Sequence, residues 1–163
     1  MSKSAAPTAV GPAPSGSCFA IVCAKWNSEI TDRLLAAAVE TLKRAEVGED
    51  RITVVRVPGT FELPVAASRL ASSGRFDAVI CLGVVIKGDT DHDRYINASV
   101  AHALQTIGCE TGVPTLFGVL TVNDFEQAAE RAGGRHGNKG EEAAAAAIEM
   151  AQVLRTLAKK EWL

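Results

Sequence analysis

The chain has 163 residues, 47% of them hydrophobic and 22% charged, a length and balance that suit one globular domain with a sizeable core. A formal net charge of −2 offers no basic surplus for nucleic acid. No apolar run approaches the ~20 residues that cross a bilayer, so no membrane span is expected.

The first 17 residues are rich in Ala, Pro, Gly and Ser. They lack the apolar centre of a signal peptide and the Arg of a transit peptide. They read as a flexible arm ahead of a single domain over 18–163. Residues 18–24 then form a short continuous apolar run, the pattern of a strand buried on both faces. From Ser28 to about Ala45 the period becomes helical, with Ile30, Leu34, Leu35, Ala38 and Leu42 on one face and Ser28 as the expected cap. Residues 51–57 are β-branched and stop at Pro58-Gly59. Phe61 to Ser73 reads as a helix if Pro64 lies in its first turn.

Ala78 to Ile86 is a third strand, followed by a long helix from about His92 to Gly108. Pro114 to Val122 is the fourth strand. Asp124 is expected to cap a short helix that ends at Gly133-Gly134. A last, Ala-dense helix runs from about Lys139 to Lys160. This alternation predicts an α/β three-layer sandwich: a four-stranded parallel sheet with helices on both faces, flavodoxin-like in plan. Four cysteines, Cys18, Cys23, Cys81 and Cys109, form no Cys-x-x-Cys pair. Three sit in or beside apolar segments, which suits a reducing cytoplasm without disulfides or zinc.

In open α/β sheets, ligands bind outside the carboxyl ends of the strands. The segments expected there are Lys25-Trp26-Asn27, Pro58 to Glu62, Lys87 to His92, and Thr121 onward. Trp26 suits stacking on a flat heterocycle, or ordinary packing at a strand end. Glu62 suits sugar hydroxyls, or a helix first turn. In Lys87-Gly88-Asp89-Thr90-Asp91-His92, Gly88 lets a ligand approach the backbone. The N–H groups of 89–91 and the Thr90 hydroxyl suit phosphate. His92 can exchange protons near neutrality. The same residues suit a plain helix cap. As a metal site, Asp89, Asp91, His92 and Asp93 point in different directions, and no second histidine is suitably spaced.

The Arg131 to Gly140 segment departs from a P-loop, because Gly140 stands where Ser or Thr should follow Lys139. It reads as a glycine-rich hinge between helices, bearing Arg131 and Lys139, or as a solvated turn. No Gly-x-Gly-x-x-Gly follows the first strand, and no Gly-x-Ser-x-Gly elbow is present.

Taken in order, Ala24-Lys25-Trp26-Asn27, Val57 to Pro64, Gly83 to His92, Gly112-Val113-Pro114, Phe117 to Thr121, Glu126-Gln127-Ala128, Arg131-Ala132-Gly133 and Gly137 to Ala143 resemble the lumazine synthase family. The resemblance runs over about residues 18 to 158. It implies condensation of 5-amino-6-ribitylaminouracil with 3,4-dihydroxy-2-butanone 4-phosphate to 6,7-dimethyl-8-ribityllumazine, phosphate and water, the penultimate step of riboflavin biosynthesis. No cofactor or metal is implied.

The resemblance also implies site roles. Trp26 stacks on the pyrimidine, and Asn27, Gly59, Thr60 and Glu62 hold the ribityl side. The backbone of Val85, Ile86 and Lys87 reads the ring edges. Gly88, Asp89, Thr90 and Arg131 bind phosphate, and His92 shuttles protons. Phe117, Arg131 and Lys139 come from a neighbouring subunit. The implied assembly is a pentamer at least, with a sixty-subunit shell favoured over a free pentamer or decamer, and the family allows association with riboflavin synthase.

Two departures stand out. Asp93 replaces an aromatic or apolar residue, which bears on the pH optimum, and Ala101-His102 replaces Lys-Gly. Two other readings share this sheet plan: a flavin-carrying or receiver-like module, and a family member without catalysis. The first leaves the Arg131 to Lys139 segment unexplained, and retained His92, Arg131 and Lys139 speak against the second.

Overall fold

Phe19–Ala24 (β1) is buried at every position, as a strand is only when both faces of its sheet are covered. Its neighbours are β2 (Ile52–Val57) and β3 (Ala78–Ile86), and β3 in turn pairs with β4 (Thr115–Val122). Every pairing in the sheet is parallel, in the order β2-β1-β3-β4. The computed structural model describes residues 10–159.

Strand alternation divides the core in two. On one face, Ile21, Ile80 and Leu82 pack with Leu34 and Leu42 of α1 (Ser28–Arg44), Ala128 of the short α4 (Phe125–Ala129), and Ala144 and Ile148 of α5 (Lys139–Ala158). On the other, Val22, Val79 and Val119 pack with Leu63 and Ala67 of α2 (Leu63–Ala71), and with Val100 and Leu104 of α3 (His92–Thr111). The expected three-layer, flavodoxin-like plan is therefore the one observed. The chain leaves β1 toward β2 by way of α1, then returns across the opposite face by way of α2 to lay β3 on the far side of β1. Where the direction reverses, between the carboxyl ends of β1 and β3, the sheet has its topological switch point.

The boundaries differ in instructive ways. Ser28 is the first helical residue of α1 and not its cap; Asn27 holds the cap position in the left-handed region (φ 56, ψ 48). The turn before α2 is a 3-10 segment, Thr60–Glu62, and Pro64 does fall in the first turn of the α-helix. The third helix does not stop at Gly108. It continues to Thr111, where Gly112 closes it with φ 70. Gly108 has a packing reason instead: a Cβ there would lie 3.2 Å from Thr115 Oγ1.

The fourth helix ends at Ala129, before Gly133-Gly134. Those glycines belong to a small antiparallel hairpin, β5 (Ala132–Gly134) and β6 (Gly137–Asn138), where a hinge was expected. Of the 17-residue arm, residues 1–9 lie outside those described. From Val10 the segment lies against the α1–α5 face: Ala13 N–H donates to the Ala45 carbonyl at 2.8 Å, and Arg155 donates to the Ser15 carbonyl at 2.8 Å and Ser17 Oγ at 3.0 Å. The last helix ends at Ala158, and Lys160 lies outside the described residues.

Candidate active site

Beside the switch point, the ends of β1 and β2 are tied together by backbone. Past the end of β1, Lys25 N–H donates to the Val57 carbonyl at 2.8 Å and Trp26 N–H to the Pro58 carbonyl at 3.0 Å. Trp26 therefore leaves the sheet beside the end of β2, with 66% of its surface exposed. Its six-membered ring lies against Gly59, where a Cβ would come within 2.7 Å of Cε3 and 2.8 Å of Cζ3. Only a glycine lets the ring settle there. The left-handed backbone of Asn27, a conformation Asn tolerates better than most residues, still lets its carbonyl accept from Ile30 and Thr31 N–H at 2.9 and 3.0 Å. Its side chain makes no cap bond. An N-cap asparagine ordinarily spends its side chain on the helix; this one does not.

Beside Trp26, Glu62 Oε2 accepts from Gly59 N–H at 2.9 Å. That bond serves the local turn, and a carboxylate keeps further acceptor capacity for a ligand. Thr60, 6% exposed, donates its hydroxyl to the Val84 carbonyl at 3.4 Å. This contact marks an opening in the sheet. The β1 ladder stops at Cys23–Leu82, whereas β4 accompanies β3 to Ile86–Val122. Beyond Leu82 the β1-facing edge of β3 has no strand beside it. Alternation turns the Val84 and Ile86 backbone groups to that edge, and those of Val85 and Lys87 toward β4, where Lys87 N–H donates to the Val122 carbonyl at 2.8 Å.

Gly88, Asp89 and Thr90 follow as an exposed turn. Asp91 caps α3 without a side-chain bond to it, so the helix-start donors are not taken by that carboxylate. His92 is the first residue of the helix and is exposed. Among the described residues, no three His, Cys, Asp or Glu side chains converge as metal ligands, the Asp89 to Asp93 set included.

Three expected site residues lie elsewhere. Phe117 is on β4 opposite Cys81, five residues before the Val122 that marks the carboxyl end, roughly 16 Å away at the usual rise of a strand. Arg131 and Lys139 flank the hairpin, Lys139 N–H donating to the Arg131 carbonyl at 2.9 Å. Asn138 Oδ1 caps α5 by accepting from Gly140 N–H at 2.8 Å. The Lys139 ammonium pairs with Glu142 at 3.0 Å. Among the described residues, no hydrogen bond or ion pair joins Phe117, Arg131 or Lys139 to Trp26, Glu62 or His92.

The family model for 6,7-dimethyl-8-ribityllumazine synthase matches residues 16–155. The 6,7-dimethyl-8-ribityllumazine synthase of Xanthomonas euvesicatoria pv. vesicatoria (strain 85-10) is 48% identical over 144 residues, which cover 88% of this chain and 94% of its own. That of Xanthomonas oryzae pv. oryzae (strain PXO99A) is 50% identical over 139 residues, 85% of this chain and 90% of its own. The chain belongs to the 6,7-dimethyl-8-ribityllumazine synthase family. Its activity is that of a lumazine synthase, a transferase that forms dimethylribityllumazine in riboflavin biosynthesis.

Within this lumazine synthase fold, several positioning residues escape a reading by motif. Gly83 sits inside β3, where a Cβ would stand 2.6 Å from Thr60 Oγ1 and 3.2 Å from Leu63 Cδ1. The Thr60 turn can descend onto the strand only because that space is empty. A glycine within a strand is the available signal, since it commonly marks a close approach of this kind. Gly140 plays the same part at the other end of the family's motif set: a Cβ there would run into the Leu34 carbonyl, so α5 starts pressed against α1.

Proposed function

We propose that the two condensing substrates are 5-amino-6-ribitylaminouracil and 3,4-dihydroxy-2-butanone 4-phosphate, and that they meet at the switch point. The pyrimidine stacks on Trp26. Its ring edges meet the carboxyl end of β3 at Val85, Ile86 and Lys87, where the Ile86 backbone groups face the open edge. The ribityl hydroxyls run toward Asn27, Gly59, Thr60 and Glu62. The phosphate sits on Gly88, Asp89 and Thr90 at the start of α3, where backbone donors and the helix dipole favour an anion, with the Arg131 guanidinium opposite. The 5-amino group attacks the C2 ketone and water leaves, giving an imine; loss of the C3 proton expels phosphate as its C4–O bond breaks; the enol left at C3 tautomerises to a ketone, on which the ribityl-bearing amine closes with loss of a second water. Each step moves a proton near neutral pH, a task suited to the imidazole of His92. Holding both substrates in one crevice contributes much of the acceleration, up to about 7–11 kcal/mol.

The observation that carries this reading is the convergence of Trp26, Gly59, Thr60, Glu62 and the Lys87 to His92 turn at adjacent strand ends. Phe117, Arg131 and Lys139 are then supplied by a second copy, which makes the site a subunit boundary. The exposed Trp26, Phe61, Val65 and Tyr95 side chains support such a boundary, since a monomer rarely leaves so many large apolar groups in water. We infer a pentamer at minimum, and a cytoplasmic location that agrees with the free thiols of Cys18, Cys23, Cys81 and Cys109. Turnover and binding by His92→Ala test the chemistry: lumazine formation should fall by about 10²–10⁴-fold while a pyrimidine analogue binds as before. Wild-type turnover in that variant removes His92 from the mechanism.

A further inference from the structure

Arg131 reaches back along the element that precedes it: its Nη1 donates to the Gln127 carbonyl at 3.0 Å. The helix that presents this carbonyl, α4, has only five residues, too few to stand on its own backbone bonds. Its start is fastened by a reciprocal pair. Asp124 Oδ1 accepts from Gln127 N–H at 2.8 Å, and Gln127 Oε1 accepts from Asn123 N–H at 3.0 Å. Ala128 is fully buried beneath it. Beyond its end, Arg131 N–H donates to the Ala128 carbonyl at 3.0 Å, and the Arg131 carbonyl accepts from Lys139 N–H at 2.9 Å. The hairpin thus fixes the Arg131 backbone, while the carbonyl that aims its side chain depends on how firmly α4 is held at its start.

We infer that Asp124 and Gln127 are positioning residues for Arg131, and that their reciprocal cap sets the enzyme's affinity for the phosphorylated substrate. The inference rests on the phosphate role proposed above for Arg131. One guanidinium N–H is spent on the Gln127 carbonyl, and the rest of the donor fork stays free for phosphate oxygens. An arginine already aimed loses less side-chain freedom when the anion arrives. When α4 frays, Arg131 keeps its charge and loses its direction. The pyrimidine half of the site, built on other strands, is unaffected.

Three variants test this, read by KM for each substrate, kcat and Tm. Asp124→Ala and Asp124→Asn remove the same charge, but only Asn keeps a cap acceptor. Asp124→Ala and Gln127→Ala should each raise KM for the phosphorylated ketone about fivefold, the factor that corresponds to one lost cap, with the pyrimidine KM unchanged. Asp124→Asn should stay within about twofold of wild type. If Asp124→Asn behaves like Asp124→Ala, charge and not capping is responsible and the inference fails. It also fails if both KM values rise together with a lower Tm, which is general loosening. Arg131→Ala is run alongside. If it raises the ketone KM and Asp124→Ala does not, the positioning role alone is overturned; if it changes nothing, the phosphate role falls and the positioning role with it.

Discussion

Trp26 and Gly59 work as one device. The ring needs the space a side chain would take, because a Cβ on Gly59 would stand 2.7 Å from Cε3. Gly59→Ala should push the indole off its seat and weaken pyrimidine binding about tenfold, within the ~1–3 kcal/mol typical of base–aromatic stacking. Titration with a pyrimidine analogue measures it, and the ketone KM should hold. The cysteines separate by environment. Burial pushes the Cys81 thiol up to about 12, and burial also raises Cys23, outweighing the Arg56 guanidinium beside it. A thiol is reactive as the thiolate. Below pH 9 both should therefore ignore a thiol reagent in the folded protein and react only on unfolding, while the exposed Cys109 is open to it. Rapid labelling of Cys81 in native protein would contradict this burial. At this scale the placement of Trp26, Glu62, Gly88 and His92 at the carboxyl ends of strands was legible, since each lies in the short segment that follows a strand-like run. Gly83 was not, because its purpose is to make room for Thr60, a residue 23 positions earlier whose proximity only the fold creates.

The four strands and the long helices could be read from the chain because each buries a sustained pattern: β1 and β3 as unbroken apolar runs, α1 as a 3.6-residue stripe. The β5–β6 hairpin could not. Its strands have three and two residues, and Gly133, Gly134 and Gly137 carry no side chains to alternate. The end of α3 was displaced for a related reason, as Gly108 resembles a stop and serves as a contact. Gly140 governs how the elements meet. A methyl group there would collide with the Leu34 backbone carbonyl, which no rotamer change relieves. Gly140→Ala should destabilise the fold by about 3 kcal/mol or more, at the upper end of overpacking costs, and loosen the Asn138 cap that places Lys139. Urea unfolding checks it. An unchanged midpoint would mean that α1 and α5 separate more freely than their packing indicates.

For the whole molecule, the proposed site asks for more than one copy. The crevice at the strand ends holds Trp26, Glu62 and His92, to which the proposed function gives the pyrimidine and the proton, while Phe117 lies on the outer strand β4. The turn from Arg131 to Gly140 is closed as a tight hairpin, the short turn that the sixty-subunit reading proposes. Residues 10–17 are fastened to their own subunit through Ala45 and Arg155, and Pro12 and Pro14 cannot donate to a ladder. The proposed assembly is a sixty-subunit shell. Light scattering at neutral pH should report one species of that size, and a stable species of five or ten subunits would confine assembly to the ring.

The shared site itself is tested most directly by complementation. Trp26→Ala and Arg131→Ala proteins, each impaired alone at limiting substrate, are dissociated, mixed, reassembled and assayed for lumazine fluorescence with both substrates. If one site draws Trp26 from one subunit and Arg131 from the next, some interfaces in the mixed assembly regain both wild-type residues, and a fraction of wild-type turnover should return. Verified mixed assemblies that remain as impaired as their parents would place both residues in the same subunit's site and contradict a shared site.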